Sequence, residues 1–187
     1  MDTAGIVKLE AGGNDVDAYC RLRTMLWPMS EEESRREAAE ILAVPEKWAV
    51  FVARYNATGP LGFVEVRLRE FAEGASSSPV GFLEGWYVVL EARKKGVGRR
   101  LVEAGEEWAR SRGCTEMASN TEIERTGSIE AHKRLGYEEV ERDVCFLKKL
   151  VCRCVLTRTR LPIAPEHLYR KPGSGCTPPG LRRCAAA

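Results

Sequence analysis

Several features that define large classes of proteins are absent from this sequence. None of its apolar stretches approaches the roughly 20 residues that a membrane-spanning helix needs. Its 29 basic residues are nearly balanced by 27 acidic ones, so a net charge of +2 gives no reason to expect a nucleic-acid partner. Residues 1–10 combine neither a cationic start nor an apolar run, so we expect no signal peptide. The sequence therefore points away from membrane, secreted and nucleic-acid-binding proteins.

The cysteines and histidines follow no pattern that predicts a disulfide framework or a metal site. The seven cysteines are odd in number and scattered, which favours free thiols in a reducing cytoplasm. One cluster, Cys152, Cys154, His167 and Cys176, contains residue types that bind zinc, but its spacing matches no standard zinc motif. We therefore expect a cytoplasmic protein without a metal cofactor.

Chain length and a change in composition predict one domain with an extension. A chain of 187 residues can bury one sizeable core, and we assign residues 1–150 to it. Residues 151–187 contain five of the nine prolines and four of the seven cysteines, and they show no amphipathic period. Such a segment cannot bury enough apolar surface to offset the entropy of ordering it. We therefore predict a disordered or foreign C-terminal extension.

Hydrophobic periodicity predicts an alternation of strands and helices, and so an α/β fold. The order is strand, two helices, three strands, helix, strand, helix, strand. The strands are predicted at residues 6–9, 48–55, 61–69, 82–89, 114–119 and 137–150, and the helices at 15–27, 30–43, 97–112 and 124–135. Ser30 with Glu33 forms a capping box for the second helix, and Pro28 ends the first.

The turn between the fourth strand and the third helix carries the strongest functional signal. It reads Arg93-Lys94-Lys95-Gly96-Val97-Gly98, with Arg99 next. Two glycines let backbone N–H groups approach a ligand at the positive end of a helix, beside several cations, which predicts a pyrophosphate site. A nucleotide P-loop would need Lys and Ser/Thr where Arg99 and Arg100 stand, and a dinucleotide fingerprint would need a third glycine at Leu101.

The remaining pattern, Arg/Gln-x-x-Gly-x-Gly/Ala, resembles the acetyl-CoA loop of the GCN5-related N-acetyltransferase (GNAT) superfamily, whose order of elements also matches. The resemblance implies the GNAT fold, in which about four helices flank a central mixed, mostly antiparallel sheet. That sheet is splayed at the acetyl-CoA site, where the central strand exposes backbone N–H groups to the thioester carbonyl. The implied acetyl-CoA-binding residues are Val88 and Val89 of this strand, and Arg93, Lys94, Lys95, Gly96, Val97, Gly98 and Arg99 of the turn.

Further motifs resemble the aminoglycoside 6'-N-acetyltransferases over residues 5–150. They are Leu26-Trp27-Pro28, Ser78-Pro79-Val80, Phe82-Leu83-Glu84-Gly85, Gly113-Cys114-Thr115-Glu116-Met117-Ala118-Ser119, and His132 just before Leu135-Gly136-Tyr137. The resemblance implies transfer of acetyl from acetyl-CoA to the 6'-amine of an aminoglycoside, which confers antibiotic resistance. It also implies a homodimer.

Glu84 and His132 are the candidate catalytic residues. An alkyl ammonium cannot attack a thioester, so the site must receive or make a neutral amine, and a carboxylate at Glu84 can pass its proton to water. Backbone N–H groups would stabilise the developing oxyanion. His132 lies near where related enzymes carry the tyrosine that protonates the CoA thiolate, and an imidazole can do this near neutral pH. Other interpretations stay open, namely Glu84 facing solvent or paired to an arginine, and His132 as a core or capping residue.

The residues implied to bind a polycationic amine are Trp27, Phe71, Glu73, Glu84 and Asn120. Trp27 is expected to form the floor of the sugar site, although a Trp next to a Pro at a helix end is also ordinary packing. Glu73 is expected to lie in a loop that lines the cleft, and the stronger alternative for it is a solvated loop charge. Asn120 departs from the family, in which an aspartate at this place anchors the antibiotic. The lost charge leaves two alternatives open, a GNAT enzyme for another small amine or polyamine and a CoA-binding protein without useful catalysis.

Overall fold

The computed structural model describes residues 4–55 and 59–149. Its elements are β1 (Gly5–Lys8), α1 (Val16–Leu26), α2 (Glu31–Leu42), β2 (Trp48–Tyr55), β3 (Gly59–Arg69), β4 (Val80–Val88), a 3-10 helix (Leu90–Ala92), α3 (Val97–Ser111), β5 (Met117–Ser119) and α4 (Thr126–Arg134). The sequence predicted each of these strands and α-helices to within a few residues. No helix in the described ranges is long and apolar enough to cross a bilayer.

The strands form one five-stranded sheet in the order β1-β2-β3-β4-β5. The first four are antiparallel to their neighbours, and β5 runs parallel to β4. Parallel neighbours need a crossover connection, and α3 provides it. The predicted mixed, mostly antiparallel sheet is therefore confirmed.

Helices cover both faces of this sheet. On one face α3 packs closely, since a Cβ on Gly105 would lie only 2.7 Å from Val66 of β3. On the other face α1 and α2 pack over Phe63, whose ring meets Tyr19 edge-on with 5.3 Å between centroids. Both cores use the same strands because successive side chains of a strand point to opposite faces.

The helix ends follow signals in the sequence. The Ser30 hydroxyl caps α2 by accepting the Glu33 N–H at 3.1 Å. Pro28 lies just beyond α1, where its ring prevents a further helical turn. Gly113 follows α3 with a φ of 86°, a backbone conformation that glycine adopts without strain.

The prediction of a last strand at residues 137–150 was wrong, because residues 137–149 form no regular secondary structure. A strand needs a neighbour for its backbone hydrogen bonds, and β5, the outer strand on this side, offers only three residues. The apolar alternation of Val140, Val144 and Phe146 misled the prediction, and these side chains are exposed. The extension at 151–187, with its cysteine–histidine cluster, lies outside the described residues.

Candidate active site

The strands β4 and β5 lie side by side for only a short distance. Their pairs run from Gly81 with Met117 to Leu83 with Ser119, whereas β4 continues to Val88. Residues 84–88 of β4 therefore have an edge that β5 does not cover. The sheet opens here into a gap between the two strands, with Leu83 and Ser119 at its closed end.

The backbone of Val88 faces this gap. Val89 N–H donates to the Leu61 carbonyl of β3 at 2.9 Å, while Val88 lies opposite Gly62. Neighbouring residues of an antiparallel strand direct their polar groups to opposite edges, so the Val88 N–H and C=O point away from β3. The Val88 carbonyl accepts from Arg93 Nε at 2.9 Å. Of the two predicted oxyanion-binding amides, that of Val88 is directed into the gap and that of Val89 is engaged within the sheet.

The predicted pyrophosphate turn leads from the end of β4 into α3. Gly96 is the N-cap, with a φ of 80° that glycine adopts without strain. The first intrahelical bond runs from Arg100 N–H to the Gly96 carbonyl at 3.1 Å. The amides of residues 97–99 precede this bond and point out of the helix end. Since Gly96 has no side chain to cap them, these donors fit the phosphate oxygens of a ligand.

Gly98 has a packing role that the sequence did not indicate. A Cβ at this position would lie 2.8 Å from the Trp86 ring, so glycine lets the first turn of α3 rest on the indole. Trp86 belongs to β4, is buried, and meets the His132 ring edge-on with 5.6 Å between centroids. One buried side chain thus joins the turn, the edge of the gap and α4.

Only some of the predicted cationic side chains of the turn extend into solvent, and the others bind backbone carbonyls of neighbouring elements. Arg93 donates to a carbonyl of β4, and Arg99 Nη2 donates to the Arg134 carbonyl at the end of α4 at 3.3 Å. Lys94 and Lys95 are exposed. The arginines therefore fix the turn against its neighbours, and the lysines are the better placed to meet an anion.

Glu84 is the extra residue of a β-bulge. Leu83 and Gly85 each have a partner in β3, and Glu84 between them has none of its own. Bulges re-aim side chains and are common beside active sites. This bulge lies where β5 leaves β4, so Glu84 stands at the closed end of the gap.

Arg69 holds the Glu84 carboxylate in a bidentate pair. Arg69 Nε lies 2.8 Å from Oε1, and Nη2 lies 2.6 Å from Oε2. Burial raises the pKa of the Glu84 carboxyl, and the positive charge of Arg69 opposes this rise. Pairing to an arginine was one interpretation that the sequence left open. A carboxylate offers about four acceptor positions, so this pair leaves two for a substrate ammonium.

Trp27 lies against β4 beside Glu84. It follows α1 as the C-cap, and its N–H donates to the Arg23 carbonyl at 2.9 Å. A Cβ on Gly85 would lie 2.4 Å from Cη2 of the Trp27 ring, so the indole rests on the backbone of β4. The structure thus brings together Trp27 and Glu84, two of the predicted substrate residues.

The loop between β3 and β4 carries Phe71 and Glu73, and both are exposed. Its far end is fixed by Glu116, whose carboxylate accepts the N–H groups of Ser76 and Ser77 at 2.9 and 2.6 Å. Hydrogen bonds from Ser77, through its hydroxyl and its N–H, hold the pKa of the Glu116 carboxyl below its ordinary value. The loop is thereby held against the start of β5.

Asn120 is exposed and follows β5 directly. Leu83 and Ser119 are a registered pair of parallel strands. Glu84, the next residue of β4, and Asn120, the residue that follows β5, therefore lie at the same level along the two strands. The predicted anchor position and the candidate carboxylate border the gap from its two sides.

His132 is buried in α4, and its two ring nitrogens have different partners. Nδ1 lies 2.8 Å from the Ser128 carbonyl, and Nε2 lies 2.9 Å from Ser119 Oγ. A carbonyl only accepts, so Nδ1 carries the proton of the neutral ring and Nε2 accepts from the Ser119 hydroxyl. Burial lowers the pKa of His132, which favours this neutral form.

Two of these partners, Arg69 and Ser119, were not identified from the sequence. Arg69 belongs to the alternating charges of β3, with Glu65 and Arg67, and this alternation specifies no particular pair. Ser119 lies in a family-like motif, and nothing marked it as the neighbour of a histidine. Within residues 4–55 and 59–149, no three metal-binding side chains are grouped to hold an ion.

Known proteins are similar to this chain in sequence and in fold. Residues 16–137 match the acetyltransferase (GNAT) family. The chain is 42% identical over 153 residues to aminoglycoside N(6')-acetyltransferase type 1 of Klebsiella aerogenes, covering 80% of this chain and 100% of that protein. It is 44% identical over 139 residues to the protein of the same name from Serratia marcescens, covering 73% and 94%.

Solved structures agree with the fold. One is AAC(6')-Iy in complex with the bisubstrate analogue CoA-S-monomethyl-acetylneamine, with a TM-score of 0.74 at 32% identity over 80% of this chain and 100% of that one. Another is AAC(6')-IG from Acinetobacter haemolyticus, with a TM-score of 0.73 at 31% identity over 79% and 99%. The predicted GNAT fold and the resemblance to aminoglycoside 6'-N-acetyltransferases are therefore confirmed.

Proposed function

Because the chain belongs to the acetyltransferase (GNAT) family, and within it to the aminoglycoside N(6')-acetyltransferases, we propose that it acetylates the 6'-amine of aminoglycoside antibiotics with acetyl-CoA and so confers resistance to them. The observation that carries this proposal is the course of β4. It runs from Glu84 at the closed end of the gap, past the Val88 amide, to the uncapped amides of α3. One opening therefore offers an anion site at one end and a carboxylate for a cation at the other.

The turn and the start of α3 form the acetyl-CoA half of the proposal. The N–H groups of residues 97–99 donate hydrogen bonds to the pyrophosphate oxygens, and Lys94 and Lys95 add positive charge. The Val88 N–H holds the thioester carbonyl and stabilises the negative charge that develops on its oxygen. The Val89 N–H is hydrogen-bonded within the sheet, so only the side chain of Val89 is proposed to contact acetyl-CoA. Acetyl-CoA supplies the activated acetyl group, and the protein supplies orientation and charge stabilisation.

The acceptor half surrounds the closed end of the gap. The residues proposed to bind the cationic sugar are Trp27, Phe71, Glu73, Glu84 and Asn120. Only a neutral amine attacks a thioester, so the Glu84 carboxylate receives an ammonium on its two remaining acceptor positions and passes a proton to water. His132 returns a proton to the CoA sulfur when the C–S bond breaks.

A panel of acceptors tests this function through release of the CoA thiol. The panel contains aminoglycosides with a 6'-amine, matched aminoglycosides with a 6'-hydroxyl, polyamines and other small amines. We expect thiol release with the 6'-amines alone. Faster release with a polyamine or another amine would assign acetyl transfer to that acceptor. Binding of acetyl-CoA by calorimetry without release by any amine would identify a CoA-binding protein without catalysis.

The exposed lysines of the turn test the acetyl-CoA half separately. The double change Lys94→Glu and Lys95→Glu should weaken calorimetric acetyl-CoA affinity about ten- to hundredfold, because it places two negative charges beside the pyrophosphate. Melting temperature should not change, since both side chains are exposed. The matched control is Lys8→Glu with Lys47→Glu, which alters net charge equally at two exposed positions away from the turn. Equal affinities of the two variants would remove the pyrophosphate from this turn.

Three further parts of the proposal concern the whole protein. We propose a homodimer, a cytoplasmic location and a domain, residues 1–150, that works without its extension. The buried free thiols of Cys20 and Cys114 suit a reducing compartment. Light scattering should give the mass of two chains. A chain ending at Leu150 should keep its melting temperature and kcat, and a fall in either would show that the extension contributes.

A further inference from the structure

The side chain of Tyr87 lies beside the amide that is proposed to hold the thioester carbonyl. The Val88 nitrogen is bonded to the Tyr87 carbonyl carbon, so Tyr87 is a covalent neighbour of this amide. We propose that Tyr87 is an acceptor-binding residue, whose ring and hydroxyl contact the sugar that carries the reacting amine. This inference rests on the proposed acetyl transfer, and it adds to the acceptor site a residue that the sequence did not indicate.

Alternation along β4 directs Tyr87 and its two neighbours to opposite faces of the sheet. Tyr87 lies opposite Phe63 of β3, whose ring belongs to the core beneath α1 and α2. Trp86 and Val88 belong to the core beneath α3, where Gly98 rests on the Trp86 ring. Tyr87 therefore projects on the face covered by α1 and α2, which we call the α1 face.

The two substrates reach the Val88 amide from different faces of the sheet. The uncapped amides proposed to bind the pyrophosphate are at the start of α3, so CoA enters the gap from the side of that helix. The amine must attack the carbonyl carbon from a side that the CoA chain leaves free, and this side is the α1 face. An acceptor that brings its amine to the carbonyl therefore meets Tyr87.

The Tyr87 side chain is accessible to such an acceptor. It is half-buried, and its hydroxyl donates to Met25 Sδ of α1 at 3.6 Å at the protein surface. This bond leaves both lone pairs of the phenol oxygen for other donors, and aminoglycosides carry ammonium and hydroxyl donors. Trp27 on the same face is only 9% exposed. Tyr87 can thus offer a sugar both a polar atom and ring surface, whereas Trp27 offers little of its ring.

Neighbouring side chains hold the Tyr87 ring in place. Its centroid lies 6.4 Å from that of Phe63, and Phe63 packs in turn against Trp27 at 6.1 Å. Towards the turn, the Arg93 guanidinium lies 5.8 Å from the Tyr87 ring centroid, while Arg93 Nε donates to the Val88 carbonyl. A ring that is already fixed loses little conformational entropy when it contacts a ligand. These contacts therefore suit Tyr87 to position a sugar beside the carbonyl.

Tyr87→Phe removes the hydroxyl and keeps the ring. With an aminoglycoside as acceptor, KM should rise about three- to tenfold because one hydrogen bond is lost, and kcat should change less than about twofold. Calorimetric acetyl-CoA affinity and melting temperature should be unchanged, since the hydroxyl is on the acceptor side and at the surface. Tyr87→Leu also removes the ring, and it should raise KM about thirtyfold.

Calorimetry with a 6'-hydroxyl aminoglycoside measures the same contact without turnover. The ligand is titrated into the protein saturated with CoA, so no acetyl group is available. Tyr87→Phe should raise the Kd of this ligand about three- to tenfold, as it raises KM. The matched control is Met25→Leu, which removes the sulfur that accepts from the Tyr87 hydroxyl and keeps an apolar side chain. It should leave both Kd and KM at their wild-type values.

Different results overturn this inference and the proposed function. The inference fails if Tyr87→Phe keeps the wild-type KM and Kd, or if kcat alone falls, which would give Tyr87 a part in the chemistry instead. It also fails if Met25→Leu raises KM and Kd as much as Tyr87→Phe, because the contact between α1 and β4 would then explain the effect. Failure of the wild type to release thiol with every amine would overturn the proposed function, while the Kd of the 6'-hydroxyl ligand would still decide the role of Tyr87. Absence of that binding as well would overturn both.

Discussion

Two buried glutamates on neighbouring strands, Glu65 and Glu84, look alike in composition and differ in position. Each is paired with an arginine, Glu65 with Arg23 at 2.7 Å and Glu84 with Arg69 at 2.6 Å. Glu65 lies in regular register opposite Gly85, whereas Glu84 is the residue that the bulge inserts. The first pair is closed over by helices, and the second borders the gap between β4 and β5.

The surroundings of the two pairs give them different tasks. Arg23 is fully buried and also contacts the Ser34 carbonyl and Glu37 of α2, and Glu65 also accepts from the Tyr19 hydroxyl at 2.7 Å. This network ties α1 and α2 to the sheet. Arg69 is 15% exposed at the end of β3. Burial and pairing alone therefore do not identify a functional carboxylate, and its place relative to an opening does.

The largest effect is expected from Glu65→Gln. Among the described residues, removing this charge leaves the buried Arg23 with Glu37 as its one remaining anionic partner, and breaking such a pair costs roughly 3–5 kcal/mol. The free energy of unfolding in urea should fall by this amount, while the folded fraction keeps the kcat/KM of the wild type. Full stability with lost activity would place Glu65 among the functional residues and remove the contrast with Glu84.

Glu84→Gln should show the opposite pattern. The neutral amide keeps the shape but loses the charge that attracts an ammonium, so kcat/KM for an aminoglycoside should fall about ten- to thirtyfold, equivalent to about 1–2 kcal/mol. Added salt should reduce this difference because it screens the charges. Unfolding free energy should fall by less than in Glu65→Gln. A variant with wild-type kcat/KM would leave the pair of Glu84 and Arg69 as a structural one.

The sequence predicted well whatever depends on neighbours along the chain. The glycine turn, the strand before it and the helix after it were predicted from local spacing, and the Ser30 cap from a four-residue pattern. The bulge at Glu84 and its pairing with Arg69 depend on the register between two strands, which no local pattern specifies. The pair of Ser119 and His132 joins residues 13 apart on different elements. Gly98 packs against the Trp86 ring, and local spacing in the sequence does not predict this contact either.

Asn120→Asp would add a carboxylate on the β5 side of the gap. The family carries an acid here, and the change alters one functional group at nearly constant shape. We expect kcat/KM for an aminoglycoside to rise about three- to tenfold, a smaller effect than that of Glu84→Gln, because Asn120 is exposed and water screens the new charge. For an acceptor that carries a single ammonium group, kcat/KM should change less. A fall in kcat/KM for every aminoglycoside would show that this position does not face the acceptor.

The last prediction concerns the acid limb of the kcat/KM profile, the pH range in which kcat/KM falls as the pH is lowered. Its position has the smallest effect on the rate at neutral pH and is the most specific test of Glu84. The carboxylate is needed to attract an ammonium, so kcat/KM should fall as Glu84 becomes protonated. Burial raises the pKa of this carboxyl, which places the fall at a higher pH than for an ordinary glutamate. Arg69 opposes the rise, so Arg69→Gln should move the limb to still higher pH. Glu84→Gln should abolish it.

The pH–rate profile then separates the functional pair from the structural one. Profiles of kcat/KM for the wild type, Arg69→Gln and Glu84→Gln should differ most in mild acid and converge in shape towards alkaline pH. The matched control is Arg54→Gln, which removes an arginine paired with Asp15 at 2.9 Å and distant from the gap in the sheet. Its limb should coincide with that of the wild type. If the limb stays fixed in Arg69→Gln, the titrating group is not Glu84, because removal of a charge within 2.6 Å must change the proton affinity of that carboxylate.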